Sequence, residues 1–228
     1  MAKSSAKTDA ETGPQADAGT PRERYRAQVR AEIKQHAWQQ IATAGASALS
    51  LNAIAKQMGM SGPALYRYFA SRDDLITELI REAYRSLADT LHATAATGAD
   101  LTVLAHTLRD WAREDPHRYL LIYGTPVPGY HAPQDVTGIS DEIMKTLLDA
   151  CAASLAARKT PPPAPAFLAE HREWAAGHPA PPAALHLALT FWTRMHGVLS
   201  LELAGHFAGM GFDSALLFAA ELDALAPR

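Results

Sequence analysis

The fold of this 228-residue chain is decided by the stretch Ser50–Arg72, which reads SLNAIAKQMGMSGPALYRYFASR. The apolar residues of its first half recur at the spacing of one helical face, and a serine precedes them as a helix cap. Gly59 follows where a helix ends in a left-handed residue. Ser61 is placed to cap a second helix, and Pro63 fits the first turn of that helix, where no intrahelical donor is needed. The stretch therefore predicts two short helices joined by a tight turn.

The second of these helices divides its side chains between a core and a surface. Leu65 and Phe69 are four residues apart and can anchor the helix to a core. Tyr66, Arg67 and Tyr68 fall on outward or flanking faces. Arginine can bridge the acceptors of guanine and tyrosine can reach phosphates, as a helix in the major groove of DNA requires. The spacing predicts a helix-turn-helix that reads DNA, while an ordinary helical hairpin with solvated polar residues stays open as the alternative.

Charge is distributed unevenly along the chain, although the formal net charge is only -3. Residues 20–72 carry eight Lys or Arg against two Glu, a net charge of +6, whereas residues 73–228 have a net charge of -8. A basic head on an acidic body is what DNA binding by one end of the molecule requires. Four arginines crowd the start of the first predicted helix, where they oppose the helix dipole, so we expect either an outside anion or a solvated charged turn there: Arg22, Arg24, Arg26 and Arg30.

Composition indicates a globular protein, because hydrophobic residues make up 48% of the chain. There is no run of 18 apolar residues and no apolar segment at the N-terminus, so we expect neither a membrane span nor secretion. Cys151 is the single cysteine, which precludes an internal disulfide and fits a reducing cytoplasm.

Residues 1–19 lack large aliphatic side chains apart from Met1 and are predicted to be a disordered tail. The Ala, Pro and Arg bias suggests a bacterial genome rich in GC.

A longer pattern runs through the helix-turn-helix region and reads Leu51-x-x-Ile54-Ala55-x-x-Met58-Gly59-x-Ser61-x-x-Ala64-Leu65-Tyr66-x-Tyr68-Phe69-x-Ser71-Arg72-x-x-Leu75. From about Arg24 to Ala88 the chain resembles the DNA-binding domain of TetR/AcrR-type transcriptional regulators, to which the Leu-Tyr-x-Tyr-Phe core is specific. The resemblance implies a homodimeric repressor that binds a palindromic operator in double-stranded DNA and is released by a small-molecule effector. The positions that match the family's DNA contacts are Ser50, Ser61, Gly62, Pro63, Tyr66, Arg67, Tyr68 and Arg72.

The resemblance also implies a role for several of these residues. Arg67 would read a base, and Tyr66 would read a base or contact a thymine methyl group. Tyr68 and Arg72 would hold phosphates. Gly62 and Pro63 stand where other members of the family carry larger side chains.

The predicted fold is all-α, with an N-terminal three-helix helix-turn-helix domain followed by a helical bundle that binds a ligand and forms a dimer. We define the head as residues 20–72 and the body as residues 98–228, joined by a lever helix over residues 72–97. The head begins at the capping-box sequence Thr20-Pro21-Arg22-Glu23, and its first helix is predicted to end at about Ala44. The lever helix would couple ligand binding to the spacing of two heads.

The last two predicted helices, residues 183–207 and 213–226, are apolar on more than one face. One face can pack on the body and the other on a twofold mate, which predicts a homodimer through these helices. The series Trp192-x-x-x-His196-Gly197 resembles the motif of one class of C-terminal domain among these regulators, named for its Trp, His and Gly.

The body contains no zinc-ligand spacing, phosphate loop or nucleophile elbow, so no metal site, cofactor or catalytic residue is predicted. Each aromatic residue of the body can belong either to its core or to an effector pocket. His196 can likewise be a ligand contact or a hydrogen-bonded core histidine, and Cys151 a buried filler or a redox sensor. The candidate effector contacts are Trp111, Tyr123, Trp174, Trp192 and His196.

Two other classes of function remain as alternatives. The first is an all-helical enzyme with His196 as general base beside Glu202, although a separation of six residues puts these side chains on different helical faces. The second is a dimerisation module in which the helix-turn-helix does not read DNA. Neither alternative explains a head of net charge +6 with outward Tyr and Arg.

Overall fold

The structure is a computed structural model that describes residues 20–156, 162–175 and 177–225. Over these ranges the chain is helical and no strand is found, which confirms the all-α prediction. The predicted tail at residues 1–19 lies outside the described residues. The helices are α1 (Pro21–Ala44), α2 (Leu51–Gln57), α3 (Gly62–Tyr66), α4 (Arg72–Ala96), α5 (Leu101–Glu114), α6 (Pro116–Tyr123), α7 (Gln134–Ala156), α8 (Phe167–Glu170), α9 (Pro182–Leu203) and α10 (Ser214–Asp223).

Side-chain caps set the first residue of most helices. The capping box of α1 is complete, because the Thr20 hydroxyl accepts from the Glu23 N–H at 3.3 Å while the Glu23 carboxylate accepts from the Thr20 N–H at 2.7 Å. At α2 the Ser50 hydroxyl accepts from the Ala53 N–H at 3.3 Å. The side chains that cap α4, α5, α6 and α10 are Ser71, Asp100, Asp115 and Asp213. The predicted caps Thr20 and Ser50 are confirmed.

Ser61 is the exception, because its side chain makes no capping hydrogen bond at the start of α3. A capping side chain accepts from the N–H of the second or third helical residue. In α3 the second residue is Pro63, which has no N–H, and the N–H of the third, Ala64, donates to the Ser61 carbonyl at 3.0 Å. The prediction of a Ser61 cap was therefore wrong.

The prediction that α9 reaches residue 207 was also wrong, because the helix ends at Leu203. Gly205 adopts a left-handed conformation with φ of 78°, and its N–H donates to the Glu202 carbonyl at 3.0 Å. The N–H of His206 donates to the Leu201 carbonyl at 2.9 Å. This pair of hydrogen bonds satisfies the last carbonyls of the helix and stops it.

The buried side chains form two cores, and α4 contributes to both. Its N-terminal half packs in the head core beside α1, α2 and α3, whereas its C-terminal half packs in the body core beside α5, α7 and α9. The loop between α6 and α7 also reaches the head, because Val127 is buried in the head core together with Val136 at the start of α7. Tyr84 of α4 and Ile122 of α6 pack against both cores. The head is therefore connected to the body through α4 and through this loop.

Ion pairs hold α4 against α7 on the outside of the molecule. Arg81 lies 2.7 Å from Asp135, and Arg85 forms a two-pronged contact with Glu142 at 2.7 and 2.9 Å.

Within the described ranges, no helix combines the length and hydrophobicity that a membrane span needs.

Candidate DNA interface and effector site

The helix α3 presents a short exposed face at its C-terminal end. Leu65 and Phe69 are buried in the head core, which confirms that they anchor the second helix of the motif. Tyr66 is 45% exposed, and Arg67 beside it is exposed as well. The helix ends at Tyr66, so Tyr68 lies in the following turn, where it is half-buried. Side chains that can contact bases or phosphates are thus held on a small, well-anchored element.

Two of the four arginines at the start of α1 contact the backbone that follows α3. Arg30 donates to the Tyr68 carbonyl at 2.6 Å, lies over the Phe69 ring with its guanidinium carbon 4.2 Å from the centroid, and contacts Glu78 at 3.5 Å. Arg26 donates to the Arg67 carbonyl at 3.4 Å. Carbonyls at a helix C-terminus carry partial negative charge and lack helical partners. Arg30 therefore has internal partners, whereas Arg26 is exposed and makes one long contact, so the expectation of an outside anion or a solvated turn stays a prediction for Arg22, Arg24 and Arg26.

Arg72 braces the segment that leads into α2. Its Nε donates to the Leu49 carbonyl at 3.1 Å, and its Nη2 donates to the carbonyls of Ala46 and Ser47 at 2.8 and 3.1 Å. A guanidinium group has five N–H donors, so these three bonds leave only the Nη1 donors, which lie 3.4 Å from Asp73. Arg72 therefore has an internal structural role, and a phosphate could share only Nη1.

The backbone conformation of the turn between α2 and α3 favours glycine at position 59 but does not require it at position 62. Gly59 has φ of 65°, a conformation that favours glycine. At Gly62 a Cβ atom would meet only the Asn52 side chain at an ordinary 3.7 Å, so packing does not require glycine there. Ser50, Ser61, Gly62 and Pro63 lie at the N-terminal ends of α2 and α3.

In the body, three of the five candidate effector contacts come together. The His196 ring centroid lies 4.1 Å from that of Trp192 and 4.3 Å from that of Tyr123. Two residues absent from the predicted set complete the group, since Tyr119 lies 5.3 Å and Tyr84 lies 5.9 Å from the Tyr123 ring. Tyr119 precedes Tyr123 by four residues on α6, a spacing that could have identified it. We call these five residues the aromatic cluster.

Within the aromatic cluster Tyr119 is fully buried and the other four residues are half-buried, and part of its hydrogen-bonding capacity is unused. The Nδ1 atom of His196 lies 2.9 Å from Tyr119 Oη, which is also 3.0 Å from Ser200 Oγ. His196 Nε2 and Tyr123 Oη are buried and have no hydrogen-bond partner. A buried polar group without a partner costs about 1–3 kcal/mol of folding free energy. A molecule that reached these two atoms would supply the missing hydrogen bonds.

Burial also fixes the protonation states in the cluster. It lowers the pKa of His196 to about 3, so the imidazole is neutral at pH 7. It raises the pKa of Tyr123 well above its ordinary value, because the phenolate would be buried in an apolar site beside two other tyrosines. The cluster thus offers neutral hydrogen-bonding groups.

A small apolar cavity of about 20 Å³ adjoins the cluster, and Trp192 belongs to both. It has room for about one water molecule. The cavity lies between α4, α5, α7 and α9, and its lining consists of Leu91, Leu104, Leu108, Ile143, Thr146, Leu147, Phe191 and Trp192.

The other two candidate effector contacts have structural partners. Trp111 is buried, and its indole N–H donates to Ser86 Oγ at 3.1 Å. Trp174 is half-buried and packs against the body core in a single 3-10 turn, Glu173–Ala175. Neither residue lines the cavity or joins the aromatic cluster.

The residues proposed for catalysis or redox sensing also have other roles. Glu202 lies 2.8 Å from Arg109 and 3.7 Å from Arg113, so its carboxylate is paired with arginine. Cys151 is fully buried in the body core, and burial raises the pKa of its thiol to about 12, as expected for a packing residue. Among the residues that the structure describes, no group of three metal-ligating side chains is found.

Comparison with known proteins agrees with this architecture at both ends of the chain. Residues 33–79 match the family model of bacterial regulatory proteins of the tetR family, and residues 101–225 match that of the tetracyclin repressor-like C-terminal domain. HTH-type transcriptional regulators Mb1846 of Mycobacterium bovis and Rv1816 of Mycobacterium tuberculosis are each 37% identical over 210 residues, covering 86% of this chain and 90% of theirs. The crystal structure of regulatory protein SCO4313 is 69% identical with a TM-score of 0.81, covering 90% of this chain and 98% of its own. The chain therefore belongs to the TetR family of DNA-binding, helix-turn-helix transcriptional regulators.

Proposed function

We propose that this protein is a homodimeric repressor that binds a palindromic operator and leaves it when a small-molecule effector binds the body. The observation that carries the DNA-reading part is the exposed pair Tyr66 and Arg67 at the C-terminal end of α3, beside the buried anchors Leu65 and Phe69. This pair lies on a head of net charge +6, which supports approach to phosphates. The proposed DNA contacts are Ser50, Ser61, Gly62, Pro63, Tyr66, Arg67, Tyr68 and Arg72, with Arg72 acting mainly as a brace.

Exposed apolar side chains at the C-terminal end of the body support the homodimer. Leu201 on α9 is 45% exposed, and Leu216 on α10 is 70% exposed. Met210 and Phe212 in the connecting segment are 61% and 43% exposed. Clustered exposed hydrophobic residues are typical of a protein interface. A twofold axis here would place two heads on half-sites separated by roughly 34 Å, one turn of DNA, or a multiple of it.

The small size of the cavity supports a response to an effector. A molecule larger than one water molecule can enter only if the helices that line the cavity move apart. One of them is α4, whose other end is packed in the head core. An effector that binds the expanded cavity would favour a different arrangement of the heads, which shifts the population away from the DNA-binding form.

Since the target is chromosomal DNA, we propose that the protein acts in the cytoplasm.

The experiment that tests this proposal is selection of bound fragments from a random duplex DNA library by the purified protein. Enrichment of one inverted repeat is the expected result, and an Arg67→Ala variant should enrich it more weakly. If the folded dimer enriches no sequence at low salt, the operator-binding proposal fails. The enriched repeat then serves as the probe with which effector-dependent release is measured.

A further inference from the structure

We propose that the effector is an uncharged molecule with an apolar body and one hydrogen-bonding group, and that this group binds Tyr123 and His196. This inference rests on the proposed ligand response and adds the chemical class of the ligand. The apolar body would occupy the expanded cavity, and the polar group would meet the aromatic cluster.

The unpartnered atoms provide the first argument. Tyr123 Oη and His196 Nε2 are buried without a hydrogen-bond partner, although their ring centroids are only 4.3 Å apart. Tyr119 already bonds to the other ring nitrogen of His196, and Ser200 bonds to Tyr119. The histidine is therefore held in place from one side, which leaves Nε2 for a ligand. A phenolic hydroxyl donates and accepts, so a ligand hydroxyl or carbonyl would satisfy this pair.

The second argument is that no ionisable side chain lines the cavity. Of its eight lining side chains, seven are apolar or aromatic, the eighth is Thr146, and none is ionisable. Burial keeps the aromatic cluster neutral as well. Arg109 and Glu202 in the body are paired with each other. A carboxylate or an ammonium group in this cavity would lose its hydration without gaining an opposite charge, which disfavours ionic ligands.

Trp192 connects the two parts of the proposed site. Its side chain lines the cavity, and its ring lies 4.1 Å from His196 and 5.6 Å from Tyr123. Trp192 is half-buried and not fully packed, so a change in its rotamer could open the small cavity toward the cluster. An apolar ring in the cavity would then place a substituent beside Tyr123 and His196.

Four matched probes test the charge and the polar group separately: 4-ethylphenol, ethylbenzene, 4-ethylbenzoate and (4-ethylphenyl)trimethylammonium. Each is titrated into the full-length protein, and binding is followed by calorimetry and by the shift in Tm. We expect 4-ethylphenol to bind about tenfold more tightly than ethylbenzene, because one added hydrogen bond in a buried site has about this effect. We expect 4-ethylbenzoate and the ammonium compound to bind more weakly than ethylbenzene.

Variants locate the polar contact. Tyr123→Phe removes one hydroxyl and should abolish most of the preference for 4-ethylphenol over ethylbenzene, while leaving the affinity for ethylbenzene unchanged. His196→Leu should reduce the same preference. The matched control is Tyr25→Phe, the same substitution at a residue of the head that is 64% exposed, and it should change neither affinity.

The outcomes distinguish this inference from the proposed function. Preferred binding of either ionic probe, an unchanged preference in Tyr123→Phe, or no binding of any probe at its solubility limit would overturn the inference. Binding with the expected preference but without any effect on operator affinity would support the ligand class and contradict the proposed release. Failure to select an operator would contradict the DNA-binding proposal and would leave the titrations interpretable.

Discussion

At the residue scale, the arginines of the head differ in what their guanidinium groups contact. Arg26 and Arg30 hold the backbone after α3, and Arg72 holds the backbone before α2. In these contacts a charged guanidinium group donates hydrogen bonds to backbone carbonyls at the ends of short helices. The contacts thereby hold α3 in position. Arg67 presents an exposed side chain at the end of that helix. The basic residues of the head thus divide into structural ones and ones available to DNA.

Arg67→Ala should cost about 1–3 kcal/mol of operator-binding free energy and relax the base preference at one position, as loss of a bidentate base contact does. Fluorescence anisotropy with the selected operator and single-base variants of it measures both effects. Since the Arg67 side chain is exposed, the Tm should not change. Equal affinity of variant and wild type would contradict the assigned role.

Arg72→Gln should lower the free energy of unfolding by about 1–3 kcal/mol, because the carbonyls of Ala46, Ser47 and Leu49 lose a charged donor. Operator affinity at one salt concentration should fall as well. The slope of log K against log salt should stay unchanged, whereas loss of a phosphate contact would reduce it by about 0.9. A reduced slope at unchanged stability would show that Arg72 is mainly a phosphate contact.

His196 should make the protein less stable in acid. Its pKa is about 3 in the folded chain, against 6.5 for an ordinary histidine, so below pH 6.5 only the unfolded chain takes up this proton. The stabilisation is complete above pH 6.5 and is lost as the pH falls toward 3. Between pH 7 and pH 5 the loss is about 2 kcal/mol.

Urea unfolding of His196→Leu at pH 7 and pH 5 measures this contribution. The difference in unfolding free energy between the two pH values should be smaller in this variant by about the same 2 kcal/mol. His117→Leu, the same substitution at an exposed histidine, is the control and should keep the wild-type difference. A wild-type pH dependence in His196→Leu would refute the assignment.

At the scale of elements, α4 and the loop after α6 link the effector region to the head, in addition to a direct contact between α1 and α6. The helix α4 runs from the head core into the body core, and ion pairs to α7 hold it from outside. The loop after α6 begins directly behind Tyr123 and buries Val127 in the head core. A shift of α6 on effector binding would therefore move a body side chain that packs in the head core.

Val127→Ala should weaken this second connection. Loss of two buried methyl groups should lower the free energy of unfolding by about 1–3 kcal/mol. The affinity for 4-ethylphenol should not change, but the effect of that probe on operator affinity should become smaller. Val103→Ala is the control, because Val103 is 47% exposed on α5. If the variant keeps the full wild-type response, coupling does not pass through this loop.

At the scale of the whole molecule, the distribution of charge and of exposed apolar surface gives the protein two different ends. The head has a net charge of +6, and residues 73–228 have a net charge of -8. The exposed apolar residues of α9, α10 and the segment between them lie in the body. A dimer formed through that apolar end leaves both basic heads free to approach one DNA duplex.

Leu216→Glu should therefore weaken the dimer, since it puts a charge on an apolar interface. Sedimentation velocity should show monomers at concentrations where the wild type is dimeric. Affinity for the full inverted repeat should fall at least tenfold, while affinity for an isolated half-site should stay the same. Val103→Glu, on the exposed face of α5, is the control. An unchanged dimer would remove this surface from the proposed interface.

The sequence alone predicted the features that depend on residues close together along the chain. The capping residues Thr20 and Ser50 marked helix starts, because a capping side chain and the N–H that it accepts from are only three residues apart. Apolar spacing identified the buried face of α2 for the same reason. The spaced pattern through the helix-turn-helix sufficed to indicate the family.

Only the tertiary structure decided the contacts between residues distant in sequence. Arg30 and Tyr68 are 38 residues apart, and Tyr119 and His196 are 77 apart, so neither contact leaves a periodic signal. Charge at the start of α1 suggested an outside anion or a solvated turn, whereas the contact between Arg30 and the Tyr68 carbonyl became visible only in the folded chain. The aromatic cluster and its unpartnered atoms likewise depend on how α4, α6 and α9 pack together. Helices follow from neighbours along the chain, whereas a binding site follows from neighbours in space.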